Sequence, residues 1–276
     1  MINSVLKTVC KNGITYFIFP RWEKYTFIGH GFSSRLGGVS EGSFASLNLS
    51  HRVGDFPGAV NENLKRFLGI WEQTTGSLVC GEQVHGTSVF SVEENVTCND
   101  SSGKGRVIPA VDALVTAVPG VVLGALSADC LISFFLDPLT PAIGLAHAGW
   151  RGTCSGILAG VVDSMRHYFG SKIDQLEVYL SPCIRECCYE VGEEVLNFCA
   201  VSPWRKDIVF IPGITPGRPF LDLQKTNFNI LQGLGIRAEK IYRSGYCTCC
   251  NQHLFYSYRG AKGSPTGRQM GIFFLR

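Results

Sequence analysis

Histidine is scarce in this chain. Only six occur in 276 residues, and no two are spaced His-x-His. Enzymes with several copper centres draw mainly on histidine ligands, so the scarcity argues against that chemistry. Charge is scarce as well. Charged side chains make up 17% of the chain, the net charge is +3, and no lysine or arginine run forms a stripe. No nucleic-acid partner is expected on that basis. No apolar run approaches the length of a membrane span, so no membrane association is expected either. The one apolar stretch near the start, 14–19, is short, lies between Gly13 and Pro20, and has no small-residue cleavage site after it. A secretory signal is therefore not expected, and a cytoplasmic location is. Internal repeats, low-complexity tracts and convincing linkers are absent too. With 45% hydrophobic residues the chain has ample core for one domain spanning 1–276.

Cysteine, by contrast, is plentiful at twelve residues. In a reducing compartment most remain thiols. Two clusters stand out, Cys183/Cys187/Cys188 and Cys247/Cys249/Cys250. A structural zinc shared between them is conceivable. The prevailing reading is of small buried hydrophobes rather than zinc-ribbon knuckles.

Three short segments carry the chemistry: 83–86 (QVHG), 127–130 (SADC) and 146–152 (AHAGWRG). They offer His85, Cys130 and His147 as three zinc ligands. Three protein ligands leave a fourth position open, which is the catalytic rather than the structural arrangement. The same pair, Cys130 and His147, also reads as a metal-free nucleophile and its base.

Local patterning brings two of these residues together. The runs 131–136 (LISFFL) and 142–146 (AIGLA) flank a turn with Pro138 and Pro141. A hairpin about that turn pairs Leu136 with Ala142 and sets Cys130 opposite Ala148, one position from His147. A bulge near residue 147 is then needed to put both side chains on one face. After His147, the glycine-rich 149–152 feeds a helix, with Thr153 or Ser155 as its cap. Ile157, Leu158, Val161, Val162, Met165 and Phe169 recur at helical spacing, and Gly170 ends the run. A glycine turn entering a helix N-terminus suits phosphate or carboxylate, and Arg151 adds a bidentate donor.

Further strands are expected at 14–19, 25–32, 78–80, 87–92, 111–116, 121–126, 176–180, 241–246 and 270–275. Helices are expected at 60–67, 189–200 and 221–234, and a polar loop at 95–106. Strands and helices intermix without regular alternation, which favours one mixed α+β domain over a doubly wound sheet.

Many ordered motifs resemble the YfiH/PgeF family, the laccase-domain or multicopper polyphenol oxidase family. They include 30–35 (HGFSSR) with 37–40 (GGVS), 46–49 (SLNL), 53–55 (VGD), 83–86, 112–116 (DALVT), 128–130 (ADC), 147–152 (HAGWRG), 187–192 (CCYEVG), 221–223 (LDL), 247–249 (CTC), 255–259 (FYSYR) and 266–268 (TGR). Tyr256 stands where the family often has a second phenylalanine, and Arg259 is single where it often has two.

The resemblance implies a single α+β domain of mixed β-sheets layered with helices, akin to the CNF-toxin fold. It implies zinc at His85, Cys130 and His147, with copper as the alternative ion. It also implies a purine nucleoside phosphorylase acting on adenosine, inosine, guanosine and methylthioadenosine, with adenosine deamination as a second activity. Nucleoside and phosphate are then the partners. Zinc-activated water suits deamination, whereas phosphorolysis needs a phosphate site. For these reactions Arg35, Arg151 and Arg259 are the candidate phosphate contacts, and Asn48 and Gln83 the candidate readers of ribose or base. Asp129 is either a general acid/base or a residue orienting a ligand histidine. A cysteine hydrolase tied to peptidoglycan precursor editing and a copper-dependent polyphenol oxidase (laccase) remain as alternatives.

Overall fold

The computed structural model describes residues 6–93, 103 and 105–276. Seven strands form one sheet: β1 (Lys7–Lys11), β2 (Ile14–Ile18), β3 (Ile28–Ser33), β4 (Leu78–Gly81), β6 (Arg106–Ile108), β8 (Val122–Ser127) and β15 (Gln269–Leu275), in the order β1-β2-β3-β15-β8-β4-β6. Six form a second: β5 (Val89–Ser91), β7 (Ala113–Thr116), β9 (Leu131–Asp137), β10 (Ala142–Ala148), β11 (Glu177–Leu180) and β14 (Ile241–Arg243), in the order β14-β11-β9-β10-β7-β5. Both are mixed, with β4 parallel to β6 and β8, and β7 parallel to β5. The short strands β12 (Phe210–Ile211) and β13 (Phe220–Leu221) pair separately.

Three apolar clusters show how the layers stack. Phe32, Leu123 and Phe273 of the seven-stranded sheet share one cluster with Phe134, Leu145 and Tyr179 of the six-stranded sheet, so the sheets pack face to face. The outer face of the first sheet packs on α1 (Pro57–Gly69) through Val60, Leu64, Phe67 and Leu68. The outer face of the second packs on α2 (Trp150–Ser155), α3 (Ile157–Phe169), α4 (Glu193–Ala200) and α5 (Leu223–Gly233). The result is helix, sheet, sheet, helices: an α+β architecture of mixed sheets. Being covered on both faces explains why β9 and β10 read as unbroken apolar runs rather than alternating ones.

The hairpin forms, one residue out of the expected register. Asp137, not Leu136, pairs with Ala142, and His147 faces Ile132. The Asp137 carboxylate accepts from the N–H groups of Leu139 and Thr140, which favours a turn one residue shorter, 138–141. Directly opposed residues share a face, and so do residues two apart along a strand. Cys130 therefore continues onto the face of Ile132 and His147, and no bulge is required.

Other expectations shift at their ends. The helix after His147 is two helices, broken at Gly156 (φ +94°), so neither Thr153 nor Ser155 caps it. Gly170 (φ +70°) does end α3. Strand β1 and helix α2 were not anticipated. Of the stretch 95–106, only 103, 105 and 106 are described, and Arg106 opens β6.

His30 lies in the inter-sheet core, 7% exposed, stacked on Phe19 and edge-on to Trp22. Its Nε2 accepts from the Phe19 N–H at 2.9 Å. Burial pushes its pKa down to about 3, more than that hydrogen bond restores. A base depressed this far is neutral when folded but protonates in the unfolded chain, so its stabilising contribution is complete above the unfolded value of ~6.5 and is lost as pH falls below it. Stability should drop by up to ~1.4 kcal/mol per pH unit from this residue alone. Urea melts of wild type and His30→Gln between pH 7 and 5 test this, and equal slopes for the two would defeat it.

Candidate metal centre

Three elements converge at one end of the sheets. His85 lies in the loop that follows β4, Cys130 lies between β8 and β9, and His147 is the penultimate residue of β10. Their ligand atoms all lie within 4.8 Å of one another, with Cys130 Sγ 3.9 Å from His85 Nε2. His85 is exposed, Cys130 half-buried and His147 buried, so the group opens toward solvent on one side.

Asp112, just ahead of β7, organises this group. Its Oδ1 lies 2.9 Å from His147 Nδ1 and accepts from the His85 N–H, while Oδ2 accepts from the N–H groups of Val84 and Gly86. Gln83 and His85 adopt left-handed backbone (φ +53° and +62°), which turns those three consecutive N–H groups onto one carboxylate. The bond at Nδ1 leaves His147 Nε2 free to face Cys130 and His85. Ligand histidines are commonly oriented in this way.

Burial would push the Cys130 thiol up. The neighbouring His147 and His85 outweigh it and bring the pKa down to about 6. Burial would likewise lower His147, and the Cys130 thiolate and Asp112 instead push it up to about 9. One soft thiolate and two imidazoles, close together and open on one side, suit zinc or copper.

Gly149 keeps the group tight. A Cβ there would stand 3.0 Å from His85 Cδ2 and 3.1 Å from Cys130 Sγ. Its φ of −72° is ordinary, so alanine would act by crowding alone. Gly149→Ala should weaken metal binding by roughly tenfold, the equivalent of ~1.4 kcal/mol of overpacking. Competition with a chromophoric chelator measures this, and unchanged affinity would count against the crowding.

A cavity of about 760 Å³ adjoins the group, lined by His85, Cys130 and His147 together with Tyr189, Tyr258 and four arginines, Arg52, Arg151, Arg259 and Arg268. Arg151 stacks on Trp150 and pairs with Glu194. Arg259 holds the carbonyls of Cys188 and Glu190 and stacks on Tyr189. Gln83 also lines the cavity, but its amide is engaged by the Leu126 N–H and carbonyl.

Two expected contacts lie elsewhere. Arg35 spends its guanidinium on the carbonyls of Ala45 and Gln252 and stacks on Tyr256. Asn48 is fully buried, bonded to Ser50, Asp55 and the Arg268 N–H. Neither is among the cavity-lining residues, so the phosphate role for Arg35 and the ribose or base role for Asn48 do not match their placement.

Of the two roles expected for Asp129, orienting a ligand histidine does not match its placement. It does not bond the ligand histidine. Its Oδ1 accepts from Thr248 Oγ1 at 2.6 Å and its Oδ2 from the Arg259 N–H at 2.7 Å. Its φ of +96° is costly for a side-chain-bearing residue, and these bonds hold it there. Asp112, Arg52 and Arg268 were missed as site residues. Asp112 opens the matched motif 112–116 and lies in the expected strand 111–116, and neither gave it a role.

The comparisons with known proteins agree with this architecture. The family model described as multi-copper polyphenol oxidoreductase laccase matches residues 29–276. The purine nucleoside phosphorylase YlmD of Geobacillus stearothermophilus is 35% identical over 89% of this chain and 89% of its own. The adenosine deaminase RL5 of an unknown prokaryotic organism is 30% identical over 88% of this chain and 92% of its own. Among solved structures, YlmD from Geobacillus stearothermophilus superposes with a TM-score of 0.88 at 30% identity, covering 99% of both chains. The Bacillus licheniformis protein YfiH gives 0.87 at 30% identity, covering 96% of this chain and 97% of that one. This chain belongs to the laccase-like YfiH family.

Proposed function

We propose that this protein is a purine nucleoside enzyme that holds zinc at His85, Cys130 and His147, splits adenosine and related nucleosides with phosphate, and also deaminates adenosine. The observation that carries this reading is the open-sided ligand group on the wall of a cavity rich in arginine. At about 760 Å³ the cavity is of the size that takes a drug-sized ligand, room enough for a nucleoside beside phosphate. The names of YlmD and RL5 point the same way.

The residues divide the work. Arg151, Arg259 and Arg268 draw phosphate toward one side of the cavity, guanidinium being suited to bidentate phosphate contact. Tyr189 and Tyr258 offer aromatic faces to the purine. In phosphorolysis a phosphate oxygen bonds to the ribose C1′ while the C1′–N9 bond breaks, and the base leaves with the bonding pair and takes up a proton. Asp112 fixes the tautomer and direction of His147. Asp129, with both oxygens taken, positions Cys130 and Arg259 rather than moving a proton. Bound zinc supplies Lewis-acid activation of water for the deamination.

A multicopper oxidase role is the weaker reading. Among the described residues only one metal-competent group contains histidine, and such oxidases need several. A cysteine hydrolase is the second reading, favoured by the thiolate–imidazolium character of Cys130 and His147. The cytoplasm is the natural setting, since it keeps free thiols reduced.

The deciding experiment combines metal analysis of freshly purified protein with adenosine turnover, with and without phosphate. Adenine released only with phosphate, from zinc-loaded protein, supports phosphorolysis, and inosine supports deamination. If neither product forms and no metal is bound, the nucleoside reading fails and Cys130 becomes the hydrolase nucleophile to test.

A further inference from the structure

We infer that Cys187, Cys188, Cys247 and Cys250 form a second metal site, an all-thiolate site for zinc or a similar thiophilic cation, distinct from the His85/Cys130/His147 group. The four sulfurs come from two segments about sixty residues apart in sequence, yet all lie within 4.8 Å of one another. Cys250 Sγ is 3.4 Å from Cys187 Sγ and 3.3 Å from Cys188 Sγ. Four sulfurs each ~2.3 Å from one zinc would stand ~3.8 Å apart at tetrahedral corners, a spacing these distances approach. A disulfide would draw one pair to ~2.05 Å and leave the others behind. Here Cys250 is instead shared almost equally between two neighbours.

Backbone pairing and turns bring the two cysteine segments together. Cys183 and Cys247 form a parallel bridge, with the Thr248 N–H donating to the Cys183 carbonyl at 3.0 Å. A turn then bends the chain back, with the N–H groups of Cys188 and Tyr189 both donating to the Arg185 carbonyl. On the other segment Cys247 and Cys250 have C-x₂-C spacing, and Asn251 donates twice to the Cys247 carbonyl through its backbone and side chain. Cys247 is buried while Cys187 and Cys250 are exposed, so an ion can enter from solvent onto a site with a closed floor. Cys249, between them, is not part of the group.

The site fastens one wall of the cavity. One segment carries Tyr189 and the carbonyls that receive Arg259. The other carries Thr248, which holds Asp129 beside Cys130. Its role is structural, since four sulfur ligands leave no open position. The inference does not depend on the nucleoside reading.

Cobalt is the probe. Cys130→Ser removes the only sulfur from the first group, so thiolate-to-cobalt charge-transfer absorption in that variant that depends on Cys187 and Cys250 reports the second. Metal-free Cys130→Ser, kept reduced with a phosphine, should take up cobalt with strong charge-transfer absorption that zinc then bleaches. Adding Cys187→Ser and Cys250→Ser should abolish the absorption. A second measurement uses the wild-type sulfurs: zinc content should fall by about one per chain from wild type to Cys187→Ser/Cys250→Ser, with a lower Tm. Absence of thiolate–cobalt absorption in folded Cys130→Ser overturns the site. So does a Cys187–Cys250 or Cys188–Cys250 disulfide that forms in zinc-supplied protein.

Discussion

Asp112→Asn should lower metal affinity by about 10–100-fold, the usual cost of losing a group that orients a ligand. Four donors converge on the two carboxylate oxygens: the His147 ring and the N–H groups of Val84, His85 and Gly86. An amide keeps one oxygen and turns an NH₂ toward the rest, so at least one buried donor loses its acceptor at ~1–3 kcal/mol. Metal binding and Tm should therefore fall together. Burial alone would raise the Asp112 pKa, but His147 and the backbone N–H groups outweigh it and hold the carboxyl below its ordinary value. A depressed acid contributes stability above its unfolded pKa and loses it as pH falls through the folded one, so this contribution disappears only in acid below about pH 4. Chelator competition and thermal melts of the variant provide the check. Wild-type affinity in Asp112→Asn would mean that the carboxylate does not orient His147.

In metal-free protein, Cys130 should be alkylated by iodoacetamide far faster than the exposed Cys10. With a pKa near 6 it is mostly thiolate at pH 7. An ordinary thiol is only a few per cent ionised there, which gives a difference of roughly 30-fold before nucleophilicity trims it. The sign differs for the two partners. The depressed Cys130 contributes stability above its unfolded pKa and loses it as pH falls through about 6. The raised His147 contributes fully below its unfolded value and loses it as pH rises through about 9. The charged pair therefore persists between those limits, and the alkylation rate should level off above about pH 7. Zinc should protect the residue. Peptide mass spectrometry against time reads the rates, and a Cys130 no faster than Cys10 would refute the thiolate assignment.

What could be read in advance depended on how locally each feature is encoded. The apolar runs of β9 and β10 and the Gly170 stop of α3 are local, and they appear as expected. The register slipped by one because a side chain, Asp137, rather than a proline, closes the turn. Arg35 and Asn48 were plausible ligand contacts by residue type alone. Their hydrogen bonds join nearby loop groups (Ala45 for Arg35, Ser50 and Asp55 for Asn48) to partners more than two hundred positions away, Gln252 and Arg268, and no local pattern reveals that meeting. Asp112 was hidden for the same reason, since its partners arrive from the loop after β4 and from β10. The four-cysteine cluster was half legible: the spacing of Cys247 and Cys250 was present in the chain, but its meeting with Cys187 and Cys188 is a property of the fold.

The ligand group has one more consequence, for how the molecule comes apart. His85 follows a strand of the seven-stranded sheet, and His147 ends a strand of the six-stranded sheet. Cys130 sits where the chain crosses from one sheet to the other. An ion held by all three would clasp the two sheets together at one end, adding to the apolar packing between them and to the hydrogen bonds from Trp22 and Tyr25 to Glu177 of β11. Peeling the sheets apart from that end then requires giving up the ion, which at a hundredfold excess over its dissociation constant adds ~2.7 kcal/mol to the opening. Amide hydrogens at the β4, β8 and β10 termini should thus exchange more slowly in loaded than in stripped protein, while those at the far edge, in β1 and β2, keep their own pace.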